Sequence, residues 1–117
     1  MNSRANSWRH KLLRQVRRWA DERFPLMFPV RVYMRHPNRM GECMGYFSLD
    51  DSEERGVIVL ANNLDESGLI DCFLEEWAHA RTAYLADEAD RDDDPHHHPS
   101  FWAEYGRIVK ASREVAW

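Results

Sequence analysis

Apolar residues recur along this chain first with a helical period, then in alternation, then with a helical period again. That order predicts one helix, a few strands and two further helices. Over residues 7–23, Trp8, Leu12, Leu13, Val16, Trp19 and Ala20 fall on one stripe, with Ser7 as N-cap and Pro25 and Pro29 ending the run. From Pro29 to Arg35 apolar and charged positions alternate, which predicts a strand closed by His36, Pro37 and Asn38. A second strand is expected from Cys43 to Leu49, where Gly45 marks a bulge or a close backbone approach. Asp50 to Gly56 supplies turn residues, and Val57 to Leu60 reads as a third strand. The expected sheet is small, three-stranded and antiparallel.

The helical period returns at residues 67–86, where Leu69, Ile70, Phe73, Leu74, Trp77, Tyr84 and Leu85 form the apolar stripe and Asp65 or Ser67 the cap. Ala86 to Pro95 is rich in acids and predicts a solvated loop. Pro99 suits the first turn of a last helix, because its missing N–H has no helical partner there. Phe101, Trp102, Tyr105, Ile108, Val109 and Val115 give that helix its apolar positions. The fold class is therefore α+β: an N-terminal helix, a three-stranded sheet, a long helix and a closing C-terminal helix, in a single domain spanning 1–117.

Composition adds few constraints. Five Trp, five Phe and four Tyr in 117 residues are ample material for a core. The two cysteines, Cys43 and Cys72, lack the spacing of a zinc knuckle or a redox pair and are expected to be reduced and buried. The opening residues are polar and arginine-rich, without the apolar stretch of a signal peptide, and no later segment is long enough to span a bilayer. This predicts a cytoplasmic protein, in the host cytoplasm if a phage encodes it, with no membrane partner.

The net charge of −4 hides an asymmetry. Arg4, Arg9, Lys11, Arg14, Arg17, Arg18, Arg23, Arg31 and Arg35 crowd the first third, and acids dominate afterwards. A basic helix of this kind either contacts nucleic-acid phosphates or an acidic protein surface, or is a solvated face whose arginines pair with Asp21, Glu22 or the acidic loop. Charge runs favour the second reading.

The candidate chemistry lies in Glu75, Glu76 and His79, followed downstream by His96, His97 and His98. On a helix, Glu75 and His79 stand one turn apart on one face and can grip a cation together, with Glu76 beside them. A third ligand would come from His97 or His98. Two histidines and one carboxylate form a known catalytic zinc set that leaves a position open. The frequent form of such a motif, His-Glu-x-x-His, has histidine where this chain has Glu75, and its glutamate serves as general base. The bland alternative is a solvated helix face, since a Glu-Glu pair followed by a histidine arises readily there. The histidine cluster downstream weighs towards the metal.

This order of elements resembles the minimal zincin fold of SprT-like metallopeptidases, which include small phage-encoded members. Leu69-Ile70-Asp71-Cys72-Phe73-Leu74-Glu75-Glu76-Trp77-Ala78-His79-Ala80 is similar to the family's helix bearing Leu-x-His-Glu-x-x-His-Ala. His97-His98-Pro99-Ser100-Phe101-Trp102 is similar to its later His-Gly-Pro-Glu-Phe-Trp. The resemblance implies zinc as cofactor and a protein or peptide substrate. It implies His79 and His97 as ligands and Glu76 as general base, with Glu75 in the first ligand's place. It also implies that residues 57–61, with Val57, Val59 and Ala61, form a sheet edge that pairs with extended substrate. Tyr105 or Tyr84 would either donate to a developing oxyanion or serve as packing residues, and packing is the favoured reading of both.

Two other functions compete with a zinc peptidase. One is an inactive protein on the same scaffold that binds nucleic acid or protein. The other keeps a structural metal with every position filled, drawing on His96, His98 or an aspartate from Asp92 to Asp94.

Overall fold

The computed structural model describes residues 7–52, 54–83 and 99–117. Helix α1 (Trp8–Arg23) starts at Ser7, whose hydroxyl accepts from the His10 N–H at 3.3 Å, and stops at Phe24, whose N–H returns to the Ala20 carbonyl at 2.7 Å. The hydroxyl satisfies one of the orphan donors of the first turn. Leu12, Leu13, Val16 and Ala20 are buried as the period requires. Trp8, expected on the same stripe, is 48% exposed and holds Arg9 over its ring, 4.5 Å from the centroid. At the first position of a helix the stripe has not yet met the core.

Strands β1 (Val30–Arg35), β2 (Gly45–Leu49) and β3 (Gly56–Ala61) form one sheet in the order β1-β3-β2. The expectation of an antiparallel sheet is corrected here. β2 and β3 are an antiparallel hairpin, with Tyr46 opposite Val59, but β1 runs parallel to β3, with Val32 opposite Ile58. The sheet is mixed because residues 36–44 carry the chain across the end of β3 to its far side, past Gly41 with φ 66°. Alternation identifies a strand but carries no information about its neighbour or direction.

Helix α2 (Glu66–Arg81) is capped by Asp65, whose carboxylate accepts from the Gly68 N–H at 2.7 Å. It ends at Thr82, whose N–H reaches the Ala78 and His79 carbonyls and whose hydroxyl donates to Ala78 at 2.9 Å. The expected continuation to residue 86 is thus not followed through Thr82, and Tyr84 and Leu85 lie outside the described residues. Helix α3 (Pro99–Ser112) opens on its proline and buries Phe101 and Ile108. Trp102, expected on its apolar face, is 55% exposed, and Val115 lies beyond its end.

Helix α2 packs on β2 and β3, and the central strand supplies the middle of the core. Ile58, Val59 and Leu60 are fully buried with Phe73, Trp77 and Phe101. Each such side chain contributes about 1.5–3 kcal/mol of transfer free energy. Trp77 stacks on Phe73 with centroids 5.3 Å apart and donates its indole N–H to the Phe24 carbonyl at 2.8 Å, joining α2 to the end of α1. The architecture is α+β, as expected from the sequence. No helix among the described residues is long and apolar enough to cross a membrane.

Candidate functional site

Glu75, Glu76 and His79 all lie on α2, well inside its ends. With 3.6 residues per turn, Glu75 and His79 stand about 40° apart around the axis and Glu76 about 60° from His79, so the three share one side of the helix. Glu76 is buried, only 7% exposed, while Glu75 and His79 are half-buried. A carboxylate is not held so far from water without specific surroundings. Part of those surroundings is β2. A Cβ added to Gly45 would come within 3.6 Å of Glu76 Cγ, 3.3 Å of the Val59 carbonyl and 2.9 Å of Leu60 Cδ2. Gly45 marks a close approach, the second of the two roles its position suggested, and the close neighbours include Glu76.

His79 is oriented from the other side by α3. Its imidazole stacks on the Phe101 ring with centroids 4.1 Å apart and 17° between planes, and Phe101 stacks in turn on Tyr105 at 5.6 Å and 15°. The segment that follows the histidine run in sequence therefore reaches His79 through Phe101. Below the stack, Arg81 Nε bonds Glu104 Oε2 at 2.6 Å, and Arg107 Nη2 bonds Glu104 Oε1 at 2.8 Å. Burial pushes the Glu104 carboxyl up, but the two guanidiniums outweigh it and hold the group below its ordinary value. Arg81 also donates to the Pro25 carbonyl. The C-terminal end of α2 is thus bound to α3 and to the segment after α1.

Cys72 shares this side of α2, one turn before Glu75 and Glu76, and sequence reasoning passed over it. Its spacing of three and four residues from the glutamates was the available signal. Burial first, and then the negative charges of Glu75, Glu76 and Asp71, push its thiol up to about 11, so it is a neutral thiol at pH 7. Neither cysteine is fully buried as expected: Cys72 is half-buried, and Cys43 is exposed, with its thiol donating to the Met40 carbonyl. Burial first, and then the negative charges of Glu75 and Asp71, push the Tyr105 hydroxyl above its ordinary value. Tyr84, the other candidate donor, lies outside the described residues, as do His96, His97, His98 and Asp92 to Asp94. Among the described residues no three His, Cys, Asp or Glu are arranged to hold a metal ion.

Residues 57–61 are not a sheet edge. They lie in β3, the central strand, paired with β1 on one side and β2 on the other, and Val59 and Ala61 are buried. Backbone bonding on both sides leaves that strand no free row of donors for a substrate. Adding a third strand beside β3 rather than beyond it converts an edge into a centre, and only nonlocal pairing determines which occurs. The edges among the described residues are β1 and β2. Because Ala61 N–H donates to the Met44 carbonyl in the β2–β3 ladder, Met44, Tyr46 and Ser48 point their backbone groups at β3, and Gly45, Phe47 and Leu49 point theirs outward. The outward row begins at Gly45, beside Glu76.

The basic face of α1 is partly engaged within the protein. Arg17 pairs with Asp21 at 3.2 Å, and Arg9 donates to the Leu64 carbonyl at 2.8 Å.

No protein-family model matches the chain, and no curated protein sequence matches it.

Proposed function

We propose that this protein is a zinc-dependent metallopeptidase-like protein that hydrolyses peptide bonds. The observation that carries the reading is the juxtaposition on α2 of Glu75 and His79, a turn apart, with a buried Glu76 abutted by Gly45 of an edge strand. The donor chemistry fits zinc: Glu75 offers carboxylate oxygen and His79 imidazole nitrogen, and His97 or His98 would complete the set. When bound, zinc supplies Lewis acidity to a peptide carbonyl and lowers the pKa of water. Glu76 takes a proton from water and returns it to the leaving amine, a role favoured by its buried position. Phe101 holds the His79 ring, and the Tyr105 hydroxyl is available to donate to a developing oxyanion. An extended substrate pairs with the outward backbone groups of Gly45 and Phe47 instead of with Val57, Val59 and Ala61.

Glu75 itself favours a second reading. It stands where the resembled family has histidine, and an additional negative charge among the ligands makes a site less electrophilic. On that reading the chain is a catalytically inactive protein on a zincin-like scaffold, binding nucleic acid or protein.

Metal analysis and cleavage assays on protein without a polyhistidine tag separate the two. The peptidase reading expects one zinc per chain, lost in His79→Ala, retained in Glu76→Gln, and peptide cleavage lost in both. Zinc-free wild type, or wild type that cleaves neither unfolded nor folded protein substrates, overturns it in favour of the inactive scaffold.

A further inference from the structure

The end of α2, the start of α3 and the segment after α1 enclose a cavity of about 330 Å³, and none of Glu75, Glu76 and His79 lines it. Its lining sets apolar Leu26, Met27 and Phe28 beside charged Arg81, Glu104 and Arg107. The charges do not balance. Two guanidiniums share one carboxylate, since Arg81 Nε and Arg107 Nε and Nη2 all donate to Glu104. Arg81 Nη1 is spent on the Pro25 carbonyl, whereas Arg81 Nη2 and Arg107 Nη1 meet no acceptor among the described residues. One positive charge is left over, with N–H donors to present it. Glu104 and the Pro25 carbonyl hold the two planar forks in place, so those donors are oriented in advance. Ser100, in the first turn of the 14-residue α3, also lines the cavity, and the partial positive charge of a helix start adds to that of the arginines.

Met27 is 81% exposed, more than any other large apolar residue described. An apolar side chain left in water beside a surplus cation suits a ligand with an apolar body and one anionic group. We propose that this cavity binds a small organic monocarboxylate, its carboxylate on the unspent donors of Arg81 and Arg107 and its apolar body against Leu26, Met27 and Phe28. Guanidinium forks match the geometry of a carboxylate, and the charge-assisted bonds supply specificity. The volume lies at the lower end of small-ligand sites, which run from about 300 to 1,000 Å³. A phosphate monoester fits less well, because its second charge has no cation left to meet. The site is independent of zinc and of Glu76.

The probe is phenylbutyrate, titrated into the full chain while backbone N–H and arginine Nε–H signals are followed by proton–nitrogen correlation NMR. Saturable shifts should centre on Met27, Arg81, Ser100 and Arg107, with a Kd of about 1 mM or below. They should be the same with and without added zinc. Phenylbutanamide keeps the apolar body without the charge and should bind about tenfold more weakly. Arg107 is 59% exposed, so Arg107→Gln should fold, leave Arg81 on Glu104 and weaken binding about tenfold. Met27→Glu and Met27→Lys test the sign of the charge at a side chain that folding does not need. The first should weaken binding about fivefold or more, and the second should not weaken it. Equal binding of the amide, equal binding by Met27→Glu or Arg107→Gln, or no saturable shift overturns the proposal. So does binding seen only with zinc, which assigns the carboxylate to the metal, or tighter binding of phenylpropyl phosphate, which assigns the cavity to a dianion.

Discussion

His79 and Phe101 face each other ring to ring, 4.1 Å between centroids and 17° from parallel, across the α2–α3 interface. Phe101 is wholly buried and packs on Tyr105 as well, so the orientation of a half-buried imidazole on one helix is set by the core of another. A histidine that must present one nitrogen in a fixed direction needs such a wall, since its ring otherwise turns freely about χ1 and χ2.

Removing the wall should loosen the site before it unfolds the protein. Phe101→Leu, which keeps most of the volume, should cost about 1–1.5 kcal/mol of stability, whereas Phe101→Ala should cost about 3–5 kcal/mol. Urea denaturation measures both. If zinc binds through His79, Phe101→Leu should also weaken it by about 10-fold or more, because the ring loses its orientation. A zinc affinity equal to wild type would dissociate the stack from the site.

At Gly45 the test is steric. Its added Cβ would lie 2.9 Å from Leu60 Cδ2, and Leu60 is fully buried and cannot swing into solvent. Gly45→Ala should therefore cost about 1–3 kcal/mol, as overpacking does. Gly45→Val should cost more and should displace Glu76 as well. Thermal denaturation reports the first effect. The second is read from the cleavage rate if the peptidase reading holds.

The Arg81–Glu104–Arg107 cluster makes a pH prediction. Glu104 has its carboxyl pKa depressed in the folded state, so its contribution is present above the ordinary value of 4.5 and is lost as pH falls through the lower folded value. Glu104→Gln should destabilise the protein by about 1–2 kcal/mol at pH 7, given a partly buried carboxylate bonded to two guanidiniums. The difference from wild type should shrink below pH 4.5. An undiminished difference at pH 3 would mean that packing, and not charge, carries the interaction.

The two thiols should separate by reactivity. Cys43 is exposed, whereas the Cys72 thiol is pushed up to about 11 and half-buried, so iodoacetamide at pH 7.5 should alkylate Cys43 about tenfold faster or more. Peptide mapping by mass spectrometry gives both rates. The unfolded thiol ionises near its ordinary value of 9.0 and the folded one near 11, so Cys72 adds stability below pH 9 that is lost as pH rises towards 11. Cys72→Ala should therefore show a flatter fall in stability across that range.

Local features of this chain were legible from residues alone. The cap at Ser7, the choice of Asp65 or Ser67 as the second cap, the period of Leu12, Leu13 and Val16, and the run from Leu69 to Trp77 each depend on neighbours within a turn. So does the placing of Glu75, Glu76 and His79 on one side of α2, because helical pitch converts spacing into direction. What the tertiary structure alone decided is everything that depends on a partner distant in sequence. Alternation in Val30–Arg35 and the apolar run Val57 to Leu60 mark two strands, but their parallel pairing, and hence the conversion of β3 from expected edge to centre, follows from where residues 36–44 carry the chain. The Phe101 wall behind His79, the depth of Glu76 and the cavity beside Met27 and Arg107 have the same origin. Burial and strand neighbours are set by chain segments that come together only on folding, and no local period encodes them.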